Sequence, residues 1–333
     1  MIAAADRTHP LQRTRLAPSP TGALHLGNAR TFLINWALAK QRGWRILLRI
    51  EDLDTPRVKP GVTDALQRTL ESLGLLWDEG PIVQSMDLKP YREAMRTLAT
   101  RGLVYPSVES RGEIGEAAAR AVSAPQEGAG ESIFPASRRP ATLPTDFAPS
   151  GTEANWRFAT PDGIVNFKDG FAGSQRHTPA QTIGDFVVWT KRDQPSYQLA
   201  VVVDDARQGV TQIVRGNDLL DSAARQLQLM VPLGVAPIPG YFHLPLVRGE
   251  DGKRLAKRHG DTRVDSYFAA GVSPKRIIAL LARWSGIPDA AEEMTAEEFA
   301  RAFDLSRLPS DDVVFTMQDD QWLRTKHSSA GQT

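Results

Sequence analysis

The chain has 333 residues, enough for at least one sizeable core and for two or three compact units. Lysine and arginine number 40 against 39 aspartate and glutamate, a net charge of +1, so no global basic field advertises a polyanionic partner and any such partner must be held by local patches. There is no cysteine, which excludes disulfides and thiolate metal sites. No apolar run reaches the roughly 18 residues of a membrane span. The opening MIAAADRTHP lacks a long apolar stretch beside a small-residue cleavage site, so a soluble cytoplasmic protein with no membrane partner is expected.

Residues 1–12 read as a loose leader, followed by a strand over Arg13–Ala17. Pro18 and Pro20 then forbid regular pairing, Gly22 permits a tight turn, and His25-Leu26-Gly27-Asn28 opens an apolar-periodic run predicting a helix over Leu26–Arg42, with Gly43 as its cap. A helix start presents unpaired N–H groups and a partial positive charge, which suits an anion such as a phosphate. Gly27 lets such a ligand approach the backbone, while His25 and Asn28 supply directed donors. Taken alone, a tetrapeptide of this kind is more often a plain turn capping a core helix. Trp44–Ile50 is a mostly apolar strand ending in Glu51-Asp52-Leu53-Asp54, and Pro60–Leu73 and Pro90–Arg101 are further helices. This rhythm predicts an α/β fold with a parallel sheet, whose ligands sit beyond the carboxyl ends of the strands, where the loops 18–25 and 51–54 both fall.

From Ser107 to Asn155 small residues and proline dominate, predicting an insertion with a flexible tip near 121–131. Strand-like alternation resumes over Trp156–Phe158 and Ile164–Phe167. Phe186–Trp189 and Tyr197–Val203 read as buried strands, Gly209–Val214 as another strand and Asp218–Leu229 as a helix. Asp204-Asp205 could be taken for a metal pair, but a structural role or one in the nucleotide loop is favoured. A basic loop, Gly249–Arg263, leads into a helix over Pro274–Trp284 with Ser273 as its cap, and Thr295–Glu298 forms a capping box. The polar end, residues 326–333, reads as a disordered tail.

Asp251-Gly252-Lys253-Arg254-Leu255-Ala256-Lys257-Arg258, taken alone, is most simply a solvated basic loop. Together with the N-terminal loop it reads otherwise. Residues 15–28 resemble the HIGH signature of class I aminoacyl-tRNA synthetases, and residues 254–258 resemble the KMSKS signature. The stretches RLAPSPTG from Arg15, RIEDLD from Arg49, YQLAVVVDD from Tyr197 and VRGNDLL from Val214 are similar to the glutamyl branch. Within it, the wording of the last two stretches, and a length that stops about where helical anticodon-binding domains begin in longer members, resemble the glutamyl-Q tRNA(Asp) synthetases. The resemblance implies a Rossmann-like parallel sheet with an inserted α/β subdomain and a C-terminal helical region. It divides the chain into two halves of a nucleotide-binding domain (1–104 and 186–245), an insertion (105–185), a signature-loop and helical region (246–325) and a tail (326–333).

The resemblance implies ATP-dependent activation of L-glutamate and its transfer to the queuosine base in the anticodon loop of tRNA(Asp). It also implies a monomer. ATP, with Mg2+ arriving alongside it, would lie across His25, Gly27, Asn28 and Lys257. His25 and Asn28 would hold phosphates, and Lys257 would meet charge developing at the α-phosphate. Arg254 and Ala256 depart from the signature, which has lysine and serine there. Arginine keeps the charge without the point geometry, and Lys253 stands next to it. Glutamate would be bound by Arg15, Leu16, Ala17, Pro18, Ser19, Glu51, Tyr197 and Arg215. The arginines would clamp carboxylates, Glu51 would take the ammonium, and Ser19 and Tyr197 would add hydroxyls. Which arginine meets which carboxylate stays open.

Most relatives carry a zinc site, whose ligand positions here correspond to Ser107, Glu109, Phe134 and Arg138, so no zinc is expected. A pair between Glu109 and Arg138 is the expected substitute. The basic loop 253–263 and the arginines at 138–139 are expected to contact tRNA phosphates. Two other readings stay open: a short glutamyl-tRNA synthetase charging the 3′ end of tRNA, and a non-catalytic binder of glutamate and ATP, supported by Arg254 and Ala256.

Overall fold

The structure, a computed structural model, describes residues 11–108, 133–134, 136–149, 153–253, 255 and 261–325. It begins with β1 (Arg13–Leu16), α1 (Leu26–Arg42), β2 (Arg45–Ile50), α2 (Val62–Ser72), β3 (Glu79–Val83) and α3 (Lys89–Thr100). Next come β4 (Val104–Ser107), β5 (Asn155–Phe158), β6 (Val165–Asp169), β7 (Gly173–His177), β8 (Phe186–Thr190) and β9 (Gln194–Pro195). Then follow α4 (Tyr197–Arg207), β10 (Gln212–Gly216), α5 (Leu220–Met230), β11 (Gly240–Leu244) and β12 (Val247–Arg248). The C-terminal part holds α6 (Val264–Ala269), α7 (Pro274–Arg283), α8 (Ala296–Ala302), β13 (Val313–Val314) and α9 (Met317–Arg324).

The expected parallel sheet is present. β1, β2 and β3 pair in parallel, with Arg13 opposite Arg45 and Leu16 opposite Leu48. β10 and β11 also pair in parallel, and the hairpin β6–β7 extends that side. The two groups meet at β1 and β10, where the Thr211 N–H donates to the Arg13 carbonyl at 2.9 Å and the Arg13 N–H to Thr211 Oγ1 at 2.9 Å. Helix α1 buries Leu26, Ala29, Leu33, Ile34, Ala37 and Leu38 and ends as its sequence predicts, with Gly43 left-handed at φ 67° and its N–H on the Ala39 carbonyl.

A separate antiparallel sheet, β4-β5-β8-β9, packs Trp156, Phe158, Phe186, Val188 and Trp189 into one apolar cluster with α3 and α4. The span 105–185 therefore does not close on itself. Its β5 pairs with β8, beyond its expected boundary, and its β6 pairs with β11 of the parallel sheet.

Tyr197–Val203 is a helix, not the strand that its apolar run suggested. Seven of its eight buried residues lie within Tyr197–Asp204, so burial on nearly every side erases the helical period. Packing overrides the weak helix preference of Val201, Val202 and Val203. This correction matters because it brings Tyr197 and Asp205 onto one rigid element. The caps at Ser273 and Thr295 form as expected, and a further capping box joins Thr316 and Asp319.

Arg30 fastens α1 to the C-terminal region. It is buried, and donates to Ser285 Oγ at 3.2 Å, to the Pro245 carbonyl at 2.8 Å and to the Trp284 carbonyl at 2.9 Å. Burial pulls its guanidinium down to about 10, with Asp312 opposing. Arg30→Met leaves these acceptors unpaired, and the expected loss of unfolding free energy is about 2–4 kcal/mol by urea titration.

Candidate functional site

A cleft of about 850 Å³ opens at the carboxyl ends of β1, β2 and β10. It is lined by Arg15, Ala17, Pro18, Ser19, His25, Gly27, Asn28, Glu51, Tyr197, Arg215, Lys253 and Leu255, among others. Residues expected to bind an anion at the helix start and residues expected to bind a charged amino acid thus share one cavity. Leu16 does not line it. Its side chain is fully buried in the core under α1, because inward and outward residues alternate along β1.

One end of the cleft is built on buried charge. Arg49, with no exposed surface, donates to Asp205 at 2.7 Å, to Gln208 Oε1 at 2.9 Å and to Glu51 Oε1 at 3.1 and 3.3 Å. Burial opposes its charge, yet Asp205, Glu51 and Asp204 together hold the guanidinium above its usual range. Arg15 lies 3.4 Å from Asp205 and donates to the Val214 carbonyl at 3.3 Å. Burial pushes the Glu51 carboxyl up, offset in part by Arg49 and Arg15. The Glu51 N–H donates to the Pro18 carbonyl at 3.1 Å, which joins the two loops that follow β1 and β2. Tyr197, buried at the start of α4, has its phenol pushed up by burial.

Arg215 is buried at the end of β10. It donates to His243 Nε2 at 2.9 Å, to Gln226 Oε1 at 2.9 Å and to the Leu219 carbonyl at 3.2 Å. Around this end, Arg15 and Arg49 face Glu51, Asp204 and Asp205, while Arg215 is held by uncharged acceptors. Asp204 lies 3.9 Å from Arg49 and accepts from Gln84 at 2.6 Å, Tyr91 at 3.0 Å and Arg207 at 2.8 Å.

The other end is the start of α1. Its first turn contains no acidic residue, and Gly27, Asn28 and Thr31 face the cleft. A Cβ on Gly27 would sit 3.4 Å from Val247 Cβ, so the helix start packs closely on β12. His25 Nδ1 lies 3.0 Å from Thr262 Oγ1. The Leu26 N–H donates to the Thr262 carbonyl at 3.1 Å and the Val264 N–H to the Leu24 carbonyl at 2.8 Å. Lys253 and Leu255, on one flank of the basic loop, line the cleft, and Thr262 and Arg263, on the other, pair with Leu26 and His25 beside it. Lys257 itself, with Arg254 and Ala256, lies outside the described residues, and so do the 121–131 tip and the 326–333 tail.

Among the expected phosphate contacts, Arg139 is already committed. It donates to both Asp185 oxygens, at 2.7 and 2.6 Å, because Asp185 is buried and needs a cation. Arg263 likewise pairs with Asp261 at 2.6 and 2.5 Å. Arg138 is exposed. Glu109, its expected partner, lies outside the described residues. The cross-link the structure describes here uses other groups. Arg157 donates to Ser107 Oγ at 3.2 Å and stacks on Phe134 at 3.8 Å, while Tyr105 donates to Asp185 at 2.6 Å.

Sequence reasoning passed over Arg49, Thr262, Asp169 and His243 as site residues. The available signal was a charged or imidazole side chain inside an otherwise apolar strand, as in RILLRI and GYFHL. Burial holds the His243 imidazole down at about 4, with Arg215 acting the same way and the Asp169 hydrogen bond opposing. The unfolded chain binds a proton near 6.5 that the native ring refuses, so stability rises with pH between about 4 and 6.5 and is lost as pH falls through that window. Urea titrations of His243→Gln at pH values across the window are expected to show a flatter dependence than the parent.

Residues 12–322 match the tRNA synthetases class I (E and Q), catalytic domain. The chain is 43% identical over 309 residues to the glutamyl-Q tRNA(Asp) synthetase of Symbiobacterium thermophilum, covering 90% of this chain and 94% of that protein. It is 46% identical over 289 residues to that of Rhodopirellula baltica, covering 83% and 85%. The glutamate–tRNA ligase of Azoarcus sp. is 36% identical over 322 residues, covering 95% of this chain and 67% of that protein. Among solved structures, a glutamate tRNA ligase from Elizabethkingia meningosepticum, crystallised in complex with its amino acid, superposes with a TM-score of 0.76 at 27% identity, covering 94% and 69%.

Proposed function

This chain is a ligase that belongs to the class I tRNA synthetases (E and Q), in the glutamyl-Q tRNA(Asp) synthetase branch, and from that premise we propose that it activates L-glutamate with ATP and transfers it to queuosine in the anticodon loop of tRNA(Asp). The observation that carries this reading is the single cleft in which Arg15, Glu51, Tyr197 and Arg215 face the start of α1.

In the first step a glutamate carboxylate oxygen attacks the α-phosphorus of ATP and the bond to pyrophosphate breaks. No protein nucleophile is required. The protein aligns the reactants and meets the developing charge. Arg215, held by uncharged acceptors, with Arg15 and Glu51 beside it in the cleft, suits a substrate carrying two carboxylates and one ammonium. Glu51 takes the ammonium, whose charge restores the ionised carboxylate that burial disfavours. The backbone of Ala17–Ser19 and the hydroxyls of Ser19 and Tyr197 complete this end. His25, Gly27 and Asn28 hold phosphates at the helix start, and Lys257 is assigned to the charge developing at the α-phosphate. In the second step a hydroxyl of the queuosine cyclopentenediol attacks the activated carbonyl and AMP leaves.

Among the described residues no group of three or more His, Asp or Glu is arranged around a metal, so magnesium fits this reading as the nucleotide's own partner. Zinc has no part in it. The Arg157 and Asp185 contacts take over the cross-linking, and protein purified without a metal-binding tag is expected to carry substoichiometric zinc by elemental analysis.

Glutamate-dependent ATP–pyrophosphate exchange tests the first step. Exchange is expected with glutamate and is expected to fall roughly a thousandfold or more with glutamine, which leaves a buried charge unpaired. Lys257→Ala is expected to abolish exchange with the thermal melt unchanged. A Lys257→Ala protein exchanging at the parent rate overturns the catalytic assignment, and absence of exchange in the parent favours a non-catalytic binder. Similarity to glutamate–tRNA ligases supports a second reading, charging of the 3′ end. Fragment mapping of labelled tRNA(Asp), bearing or lacking queuosine, separates the two. Label in the anticodon fragment only when queuosine is present is the expected result.

A further inference from the structure

Arg215 differs from the other cleft arginines in what it touches. Its hydrogen bonds go to three uncharged acceptors, His243 Nε2, Gln226 Oε1 and the Leu219 carbonyl, whereas Arg15 lies 3.4 Å from Asp205 and Arg49 donates to Glu51 and Asp205. Among the described residues no carboxylate comes within ion-pair distance of Arg215. It is buried but lines the cleft. A guanidinium so placed is held by neutral groups and keeps its charge for an incoming anion.

The central acceptor is an imidazole, and an imidazole accepts only in one state. His243 Nδ1 lies 2.7 Å from Asp169 Oδ2. Asp169, fully buried on β6, also receives the Phe171 N–H at 2.8 Å, the Ala172 N–H at 2.7 Å and the His243 N–H at 3.2 Å. Three backbone N–H groups converge on it, which is the environment of an ionised carboxylate, and hydrogen bonding holds it below its usual range despite burial. An ionised carboxylate can only accept, so His243 must carry hydrogen on Nδ1. Nε2 is then a lone pair aimed at Arg215 Nε–H. A protonated ring would instead set N–H against N–H and place two cations in contact.

We propose that His243, oriented by Asp169, is a positioning residue for amino-acid recognition, and that its neutral Nδ1–H form fixes Arg215 so that the guanidinium meets a carboxylate of the substrate. This rests on the reading of the cleft as a glutamate site. Three charged or titratable groups face the ring: Asp169 from β6, Arg215 from β10 and Tyr241 from its own strand, which stacks on it at 5.7 Å and 12°. The Arg215 guanidinium also lies 5.4 Å over the Tyr241 ring, so the imidazole and the phenol hold it from two sides. A second, uncharged chain steadies the other end of Arg215. Gln226 Nε2 donates to Gln198 Oε1 at 3.0 Å, and Gln198 Nε2 donates to Ser222 Oγ at 3.1 Å.

Two measurements test this. In histidine-selective 15N NMR of the whole chain, His243 is expected as the neutral Nδ1–H tautomer between pH of about 8 and 5.5. An imidazolium or an Nε2–H tautomer there overturns the proposal. In ATP–pyrophosphate exchange, His243→Phe keeps the ring but removes the acceptor. The KM for glutamate is expected to rise roughly ten- to a hundredfold, the scale of a lost hydrogen bond to a charged group, with the KM for ATP within about twofold. His243→Gln, whose amide oxygen can replace Nε2, is expected to recover most of that loss. An unchanged glutamate KM in His243→Phe, or parallel rises in both KM values, overturns the positioning role while leaving the activity itself standing. A parent protein without glutamate-dependent exchange overturns both readings. If His243→Phe does not fold, the NMR tautomer decides the question by the criterion already given.

Discussion

The fold is arranged around charge that has been taken out of water. Arg49 is fully buried, as are Asp204 and Asp205, and Arg15 and Glu51 stand beside them with little exposure. Desolvating such groups is unfavourable unless each finds its partners in good geometry, and removing one partner leaves a stranded ion that costs several kcal/mol. The lattice draws on β1 for Arg15, on β2 for Arg49, on the following loop for Glu51 and on α4 for both aspartates. It is satisfied only when these elements meet in one register. The stability of the sheet and the electrostatics of the cleft therefore rest on the same contacts.

The cleft joins two ends of different architecture. The polar end presents paired side chains that stand on strands and a buried helix. The end at α1 offers a helix start free of acidic residues, with Gly27 packed against Val247. Between them, main-chain hydrogen bonds join residues 24–26 to 262–264, so a loop far along the chain is brought beside the helix start. Arg30, reaching from α1 to Pro245, Trp284 and Ser285, holds the same two regions together from beneath.

Outside the cleft, Asp185 shows how a peripheral segment is fastened without thiolates. Tyr105, Arg139 and the Thr160 N–H all donate to it, and Arg157 reaches its carbonyl while stacking on Phe134. The antiparallel sheet that includes β4, β5 and β8 depends on this cluster as well as on its tryptophans. Arg139 serves this scaffold and not an external phosphate, because its guanidinium neutralises a buried carboxylate.

What was legible in the chain itself was local and periodic. Residues 26–42 repeat apolar side chains at helical spacing and stop at a glycine, so α1 could be read to its end residues. Proline and glycine between β1 and α1 announced the loop, and long ordered motifs linked His25, Glu51, Tyr197 and Arg215 to one family. Where burial is nearly complete the period disappears, and the valine-rich start of α4 read as a strand for that reason. Arg49 meets Asp205 and Gln208 from 156 and 159 positions away, His243 meets Asp169 from 74 away, and Arg215 meets His243 from 28 away. No local spacing encodes such pairings. Sequence alone determined which side chains could do the chemistry, because residue type and chain order carry that information. The tertiary structure alone decided which of them are already neutralised and which keep a charge to offer, because that depends on burial and on which strands become neighbours.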